Sequence, residues 1–372
     1  MKDYLDESNP RGFAGISSLL YVDTKLFIAI ITITIIGLVT IYSSSGGELS
    51  LVIKQSTRVV IGLVAMVFLA QVHPDNLRLF APVLYFFTIL LLILVLLFGV
   101  GHTADRWLDL YFIRFQPSEL MKIFVPLMLA SYYSDKPLPP NISYIFVAII
   151  LVLLPLFLIM KQPDLGTALL IGMSGAIAIL LAGMSLKFFF ATTFSMAALL
   201  PVLWMNMHQY QKQRVLTFFN PESDPLGSGY HLMQSKIALG SGGFFGKGLF
   251  NGTQSKLGFV PEHSTDFIFT AFGEEFGFLG VVILMSLYLF IALRGISISI
   301  KATDNFGRIL TGTLSLTIFL YVLVNVGMVI GFLPVVGAPL PFMSYGGTSM
   351  VTLFATFGMI MSIKSHQRIL RK

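Results

Sequence analysis

Leu79-Phe-Ala-Pro-Val-Leu-Tyr-Phe-Phe-Thr-Ile-Leu-Leu-Leu-Ile-Leu-Val-Leu-Leu-Phe-Gly99 runs for 21 residues without a charged side chain. A helix crossing about 30 Å of hydrocarbon needs about 20 mostly apolar residues, so this stretch reads as a transmembrane helix. Similar runs lie at 26–44, 57–72, 118–133, 142–160, 165–184, 186–206, 267–293, 308–331 and 346–364. The pattern predicts an all-α integral membrane protein of about ten transmembrane helices, with a large extracytoplasmic loop, 207–265, between helices 7 and 8. Residues 1–24 then form an N-terminal tail, 25–364 the helical domain and 365–372 a C-terminal tail.

Composition agrees. Of 372 residues, 55% are hydrophobic and 11% charged, against about 25% charged in a soluble domain. The net charge of +6 comes from dispersed Lys and Arg at the ends of apolar runs, with no basic patch interleaved with stacking aromatics, so nucleic acid is not an expected partner. With no cysteine in the chain, disulfides and thiolate chemistry are excluded. The first run, Leu26–Ile41, reads as a signal anchor and first helix.

An even number of spans puts both termini on one side. Lys and Arg then number 13 on the terminal side and 11 opposite, five of the latter in loop 207–265. Setting that loop aside predicts cytoplasmic termini. Segments 45–56, 101–117, 207–265 and 332–345, rich in Gly, Pro and aromatics, then fall on the outer side, which makes that side the working surface.

Four constellations could carry chemistry. Pro261-Glu-His-Ser-Thr-Asp266 opens the eighth span, where Asp266 reads either as a helix cap or as an outward carboxylate serving as general base. Gln116-Pro-Ser-Glu119-Leu-Met-Lys122 opens the fourth span, with Glu119 and Lys122 at i,i+3 on one face. They form a structural ion pair or, as membrane-embedded charges often do, mark a functional cavity. Just ahead lie Arg106, suited to clamping an anion, and Trp107, which also fits an interfacial belt.

Gly240-Ser-Gly-Gly-Phe-Phe-Gly-Lys-Gly248 departs from a true phosphate loop at Ser241 and Gly248, so ATP hydrolysis is not supported. Lys247 with backbone N–H groups remains a phosphate candidate, a plain re-entrant turn being the alternative. Asp164, Glu274, Glu275 and Asn325 fit structural hydrogen bonding. Pro339-Leu-Pro-Phe-Met-Ser-Tyr-Gly-Gly-Thr348 fixes a rigid non-helical entry to the last span, tolerated at membrane depth only where buried in protein or lining a wet cavity.

These segments together resemble the SEDS family (shape, elongation, division and sporulation), with its rod-shape-determining branch the best match. The resemblance rests on Arg106-Trp-Leu-Asp-Leu, Gln116-Pro-Ser-Glu, Gln162-Pro-Asp-Leu-Gly-Thr and Asn220-Pro-Glu-Ser-Asp-Pro-Leu-Gly. It rests equally on Gly229-Tyr-His-Leu-Met-Gln-Ser-Lys-Ile-Ala-Leu-Gly-Ser-Gly-Gly, His263-Ser-Thr-Asp-Phe-Ile-Phe and Pro341-Phe-Met-Ser-Tyr-Gly-Gly-Thr-Ser. Thr348 departs from the Ser common in the family. The resemblance implies a peptidoglycan glycosyltransferase of the inner membrane that polymerises lipid II at the outer face. Its implied partners are a class B penicillin-binding transpeptidase and other elongation-complex proteins.

On the same resemblance Asp266 is the catalytic residue, and Glu119, Lys122 and Trp107 are site residues. Arg106, Lys247, Gln234 and Lys236 complete the substrate-binding candidates. No resident metal cage is expected, although a divalent cation (Mg or Mn) could accompany the pyrophosphate. A lipid flippase and a non-catalytic scaffold are the rival readings.

Overall fold

The protein's structure, a computed structural model, describes residues 21–99, 106–109, 114–185, 187, 190, 204–205, 209–221, 224, 227–256 and 264–369. Long helices account for most of them. Helices α1 (Thr24–Ser44), α2 (Leu49–Gln71) and α3 (Pro74–Phe98) lead to a short antiparallel pair, β1 (Leu108–Asp109) and β2 (Arg114–Phe115). Next come α4 (Pro117–Ser134), α5 (Ile142–Lys161) and α6 (Leu165–Leu181), then the loop helices α7 (Gln209–Phe219), α8 (Ser228–Ser241) and α9 (Thr253–Lys256). Helices α10 (Ile268–Lys301), α11 (Asn305–Ile330) and α12 (Thr348–Ile369) complete the chain.

Six of these, α1, α2, α3, α5, α10 and α11, are long and apolar enough to cross a membrane. Nine of the ten expected segments fall on helices, and the seventh, 186–206, lies almost wholly outside the described residues. Loop 207–265 carries three helices of its own in its described part.

Local chemistry sets the helix ends. Asp23 accepts from the Leu26 N–H at 3.0 Å, and Asp304 from the Gly307 N–H at 3.0 Å, each satisfying an otherwise orphaned first-turn donor. α11 ends at Gly331 in the left-handed conformation, the usual glycine stop. Small residues let helices approach closely. A Cβ on Gly62 of α2 would collide with the Phe354 ring of α12, and one on Gly295 of α10 with Ser315 of α11.

α10 is broken. Gly277 adopts φ 64°, ψ −165° inside it, and the loop around Gly246 docks into the break. There the N–H groups of Lys247 and Gly248 donate to the Glu274 and Glu275 carbonyls at 3.1 and 2.9 Å. The N–H groups of Phe278 and Leu279 donate back to the Gly243 and Phe244 carbonyls at 2.9 and 3.0 Å. The break is tolerated because neighbouring backbone satisfies what the helix loses.

One end of the bundle is tied by charge. Asp23, with its side chain 1% exposed, accepts from Arg294 at 2.9 Å and from Lys364, joining α1 to α10 and α12. Burial by itself raises the Asp23 carboxyl. Hydrogen bonds from Lys364, the Leu26 N–H and Arg294 outweigh it and hold the pKa below the usual carboxylate value. A depressed folded-state pKa stabilises above the unfolded value of about 3.9 and loses that contribution as pH falls through the folded value. Asp23→Asn is therefore expected to lower Tm near neutral pH, with the gap to wild type narrowing below about pH 4. Thermal unfolding in detergent across pH checks this; a gap that stays constant on acidification contradicts it.

Candidate active site

The segment 332–345 between α11 and α12 forms a strap across the bundle, clamped from several sides. The Tyr288 hydroxyl donates to the Pro341 carbonyl at 2.5 Å, and the Gln55 amide to the Ser344 carbonyl at 3.1 Å. A Cβ on Gly37 of α1 would meet the Met343 Cα at 2.7 Å, and one on Gly166 of α6 the Val336 carbonyl at 2.3 Å. Three prolines (Pro334, Pro339, Pro341) remove backbone donors that a non-helical strap would otherwise leave buried. Their rings also restrict the backbone.

Asp266 is held against this strap. It lies in the turn 264–267, one residue before the α10 N-cap, which is Phe267 and makes no side-chain cap bond. The capping reading of Asp266 therefore does not describe how α10 starts. Instead the main chain around it is pinned at three carbonyls. Asn325 Nδ2 donates to Asp266 O at 2.8 Å, Ser344 Oγ to Thr265 O at 2.7 Å and Tyr345 N to Ser264 O at 2.8 Å. The carboxylate faces Gly337, where an added Cβ would stand 3.3 Å from its Oδ2. The same Asn325 amide also donates to Ala338 O at 2.7 Å, tying turn and strap into one unit.

On one side of this unit is a cavity, lined among others by Glu119, Lys122, Thr317, Tyr321, Ala338 and Pro339. Lys122 Nζ lies 2.6 Å from Glu119 Oε1, both side chains being nearly buried, and 5.4 Å from the Tyr321 ring centroid. Beside the strap opens a second cleft, lined among others by Arg106, Asp164, Arg214 and Val336. Arg106 donates to Pro163 O at 2.7 Å and approaches Asp164 Oδ1 at 3.7 Å. Asp164 caps α6 by accepting from Thr167 N at 3.2 Å and also accepts from Gln116 Nε2 at 3.1 Å, joining α6 to the start of α4. The strap thus carries the Arg106 cleft at 334–336, the Asp266 carboxylate at 337 and the Glu119–Lys122 cavity from 338 onward.

Trp107 sits just ahead of β1, half-buried. Gln234 and Lys236 lie on α8, and the Lys236 side chain covers Gly331 at the base of the strap. Lys247 lies at the α10 break, donating to Glu274 Oε1 at 2.7 Å and to Thr253 Oγ1 at 2.9 Å. Glu274 accepts from the Thr253 and Gln254 N–H groups as well, and Glu275 bonds Ser43 of α1. The N–H groups that suggested phosphate binding at 247–248 are engaged with α10 carbonyls.

Removing the cation beside a buried carboxylate is destabilising even where other donors to it remain. Lys247→Ala is accordingly expected to lose stability at Glu274, whose side chain is 0% exposed, while the surviving folded protein turns over at close to the wild-type rate. Tm and rate per folded molecule separate the two effects; normal Tm with a lost rate would instead place Lys247 on substrate.

Two participants escaped the sequence reading, Arg214 and Tyr321. Arg214 lines the Arg106 cleft from α7, and its signal was the polar run Gln209-Tyr-Gln-Lys-Gln-Arg214. Tyr321 sits four residues before Asn325 on α11, a polar i,i+4 pair inside an apolar helix. Among the described residues no group of three His, Cys, Asp or Glu could hold a metal ion.

The chain matches the family FTSW_RODA_SPOVE, described as cell cycle protein, over residues 23–369. It is 44% identical over 355 residues to the Escherichia coli K12 peptidoglycan glycosyltransferase MrdB, covering 95% of this chain and 96% of that protein. Its fold superposes with TM-score 0.82 and 28% identity on a chain from "Structural coordination of polymerization and crosslinking by a peptidoglycan synthase complex", covering 93% of this chain and 98% of that one. The Thermus thermophilus rod shape determining protein RodA matches with TM-score 0.70 and 26% identity, over 92% and 96% of the two chains. With a family match running almost end to end, this chain belongs to the FtsW/RodA/SpoVE family of cell cycle proteins.

Proposed function

We propose that this protein is a peptidoglycan glycosyltransferase of the inner membrane, polymerising lipid II into glycan strands for lateral wall elongation beside a class B penicillin-binding transpeptidase. One observation carries the site assignment: Asp266, Glu119–Lys122 and Arg106 are gathered along a single clamped strap. The relatives named peptidoglycan glycosyltransferase support the activity. The solved peptidoglycan synthase complex supports the partner. Ten spans, cytoplasmic tails at 1–24 and 365–372, and a site facing outward belong to the same proposal, supported by the Lys and Arg distribution.

In this reading Asp266 removes the proton from the acceptor sugar hydroxyl as its oxygen attacks the anomeric carbon of the donor. The bond from that carbon to the lipid pyrophosphate breaks, and the pyrophosphate leaves as an anion, with inversion at the carbon. Lys122 is assigned to the developing negative charge, which a fixed cation in a dry site stabilises better than water, and Arg106 to substrate contacts from the cleft beside the strap. Trp107, Gln234 and Lys236 are assigned to substrate contacts around the strap. No step is assigned to a metal. A Mg or Mn ion would arrive with the pyrophosphate.

Purified protein is expected to turn labelled lipid II into polymer, with more polymer when the transpeptidase is present. Movement of lipid II between leaflets without polymer would instead indicate a flippase. Polymer made only by the partner would indicate a scaffold.

A further inference from the structure

Four polar atoms on α11 are buried without a hydrogen-bond partner within the protein: Thr313 Oγ1, Thr317 Oγ1, Tyr321 OH and Asn325 Oδ1. Their residues recur every four positions, so they form one stripe along one face of the helix. At 1.5 Å per residue the stripe is about 18 Å long. Its upper end is Asn325, which pins the Asp266 turn to the strap, and its middle, Thr317 and Tyr321, lines the Glu119–Lys122 cavity. A buried hydroxyl without a partner costs about 1–3 kcal/mol, and native proteins rarely keep several together without a use for them. Other cavity hydroxyls do not share this state: Thr352 and Thr356 donate to carbonyls of their own helix at 2.9 and 2.8 Å.

The rest of the cavity says what the ligand must be. Its polar end carries Lys122 and the first turn of α4, whose N–H groups add positive potential, and Glu119 is the one carboxylate in its lining. Much of the remaining lining is apolar, including Ile123, Leu170, Leu314, Ile318 and Leu353. Such a cavity suits an amphiphile with an anionic, oxygen-rich head. A sugar would waste the apolar lining, and an acyl chain would leave the hydroxyls unsatisfied.

We propose that Tyr321 and Thr317 donate, with Lys122, to the phosphate of a polyprenyl phosphate or diphosphate seated in this cavity. The proposal rests on the glycosyltransferase reading and orients the donor within it. The lipid pyrophosphate lies on the Tyr321 side of the strap, and the sugars extend past Ala338 toward Asp266. The Tyr321 ring already faces the Lys122 ammonium, so Phe at 321 would keep that contact and remove only the hydroxyl.

The test is binding of geranylgeranyl diphosphate to the full-length protein in detergent, read by thermal shift, with geranylgeraniol and inorganic pyrophosphate as comparison probes. The diphosphate is expected to raise the wild-type Tm more than either alone. Tyr321→Phe and Thr317→Val are each expected to weaken its apparent Kd about tenfold or more, the effect of a lost hydrogen bond to a charged group. Without ligand, Tyr321→Phe should match or exceed wild type in Tm, because it deletes an unsatisfied buried hydroxyl; a merely structural tyrosine would lose stability instead. Wild-type affinity in both variants overturns the seat, as does an equal shift by geranylgeraniol. Polymerisation of lipid II by the wild type is scored separately. Polymer without diphosphate binding refutes the seat and leaves the glycosyltransferase reading standing, whereas binding without polymer refutes that reading alone.

Discussion

Asp266→Asn is expected to slow polymerisation of lipid II by about 10²–10⁴-fold, the usual worth of a positioned general base, without unfolding the protein. The two halves of this expectation have separate causes. An amide matches the carboxylate in shape but cannot take up the acceptor proton. The turn around it keeps the anchors that bind main-chain atoms. Asn325, Ser344 and Tyr345 bind the carbonyls of Asp266, Thr265 and Ser264, and none of these bonds uses the Asp266 side chain. Polymer length and rate from purified variant and wild type, alongside Tm, decide the matter. A well-folded Asp266→Asn protein that polymerises at the wild-type rate removes Asp266 from the chemistry.

The largest expected effect on folding belongs to Gly277→Ala. Gly277 holds φ 64° and ψ −165° within α10, a combination essentially confined to glycine that costs other residues about 1–3 kcal/mol. Sterics add to this, since an alanine Cβ would lie 2.2 Å from Gly246 N, 2.7 Å from Phe245 C and 2.8 Å from Phe244 O. All three are backbone atoms, so no rotamer change relieves the clash. Loop 243–248 must move, breaking the reciprocal bonds that join it to the helix at 274–279. Gly243→Ala is the matched control, because φ is 58° but nothing lies within 4 Å of its Cβ. Gly277→Ala should yield little monodisperse protein and a much lower Tm, and Gly243→Ala only a modest drop. Equal behaviour of the two variants would show that the docked loop does not support the helix break.

How much of this was legible beforehand varies by residue. The paired charges Glu119 and Lys122 could be read as partners because i,i+3 spacing on a helix fixes their proximity, and α4 does form there. The low apolarity of that segment, unusual for a span, follows from a helix whose polar first turn faces an internal cavity. Asp266 could be singled out as a carboxylate at a helix entrance. Its neighbour Gly337 could not, because the strap is 71 residues further on in the chain. Lys247 looked like a phosphate ligand because a glycine-rich turn with a lysine presents free donors in isolation. In the folded chain those donors meet the carbonyls exposed by a break in α10, a feature that only the packed helix reveals.

The amino-acid sequence alone marks this chain as a helical membrane protein and points to its family, because hydrophobic run length and local motifs are properties of contiguous residues. It also named most of the ionisable candidates, since a charge within an apolar run is costly and therefore conspicuous. Which of them share a site depends on how distant segments pack. The strap touches α1, α2, α6, α10 and α11, and the cavity and cleft beside it arise from contacts between segments far apart in the chain. The same packing created the orphaned hydroxyls of α11: whether a threonine or tyrosine in an apolar helix finds a partner depends on the neighbour across the interface, not on its own sequence context.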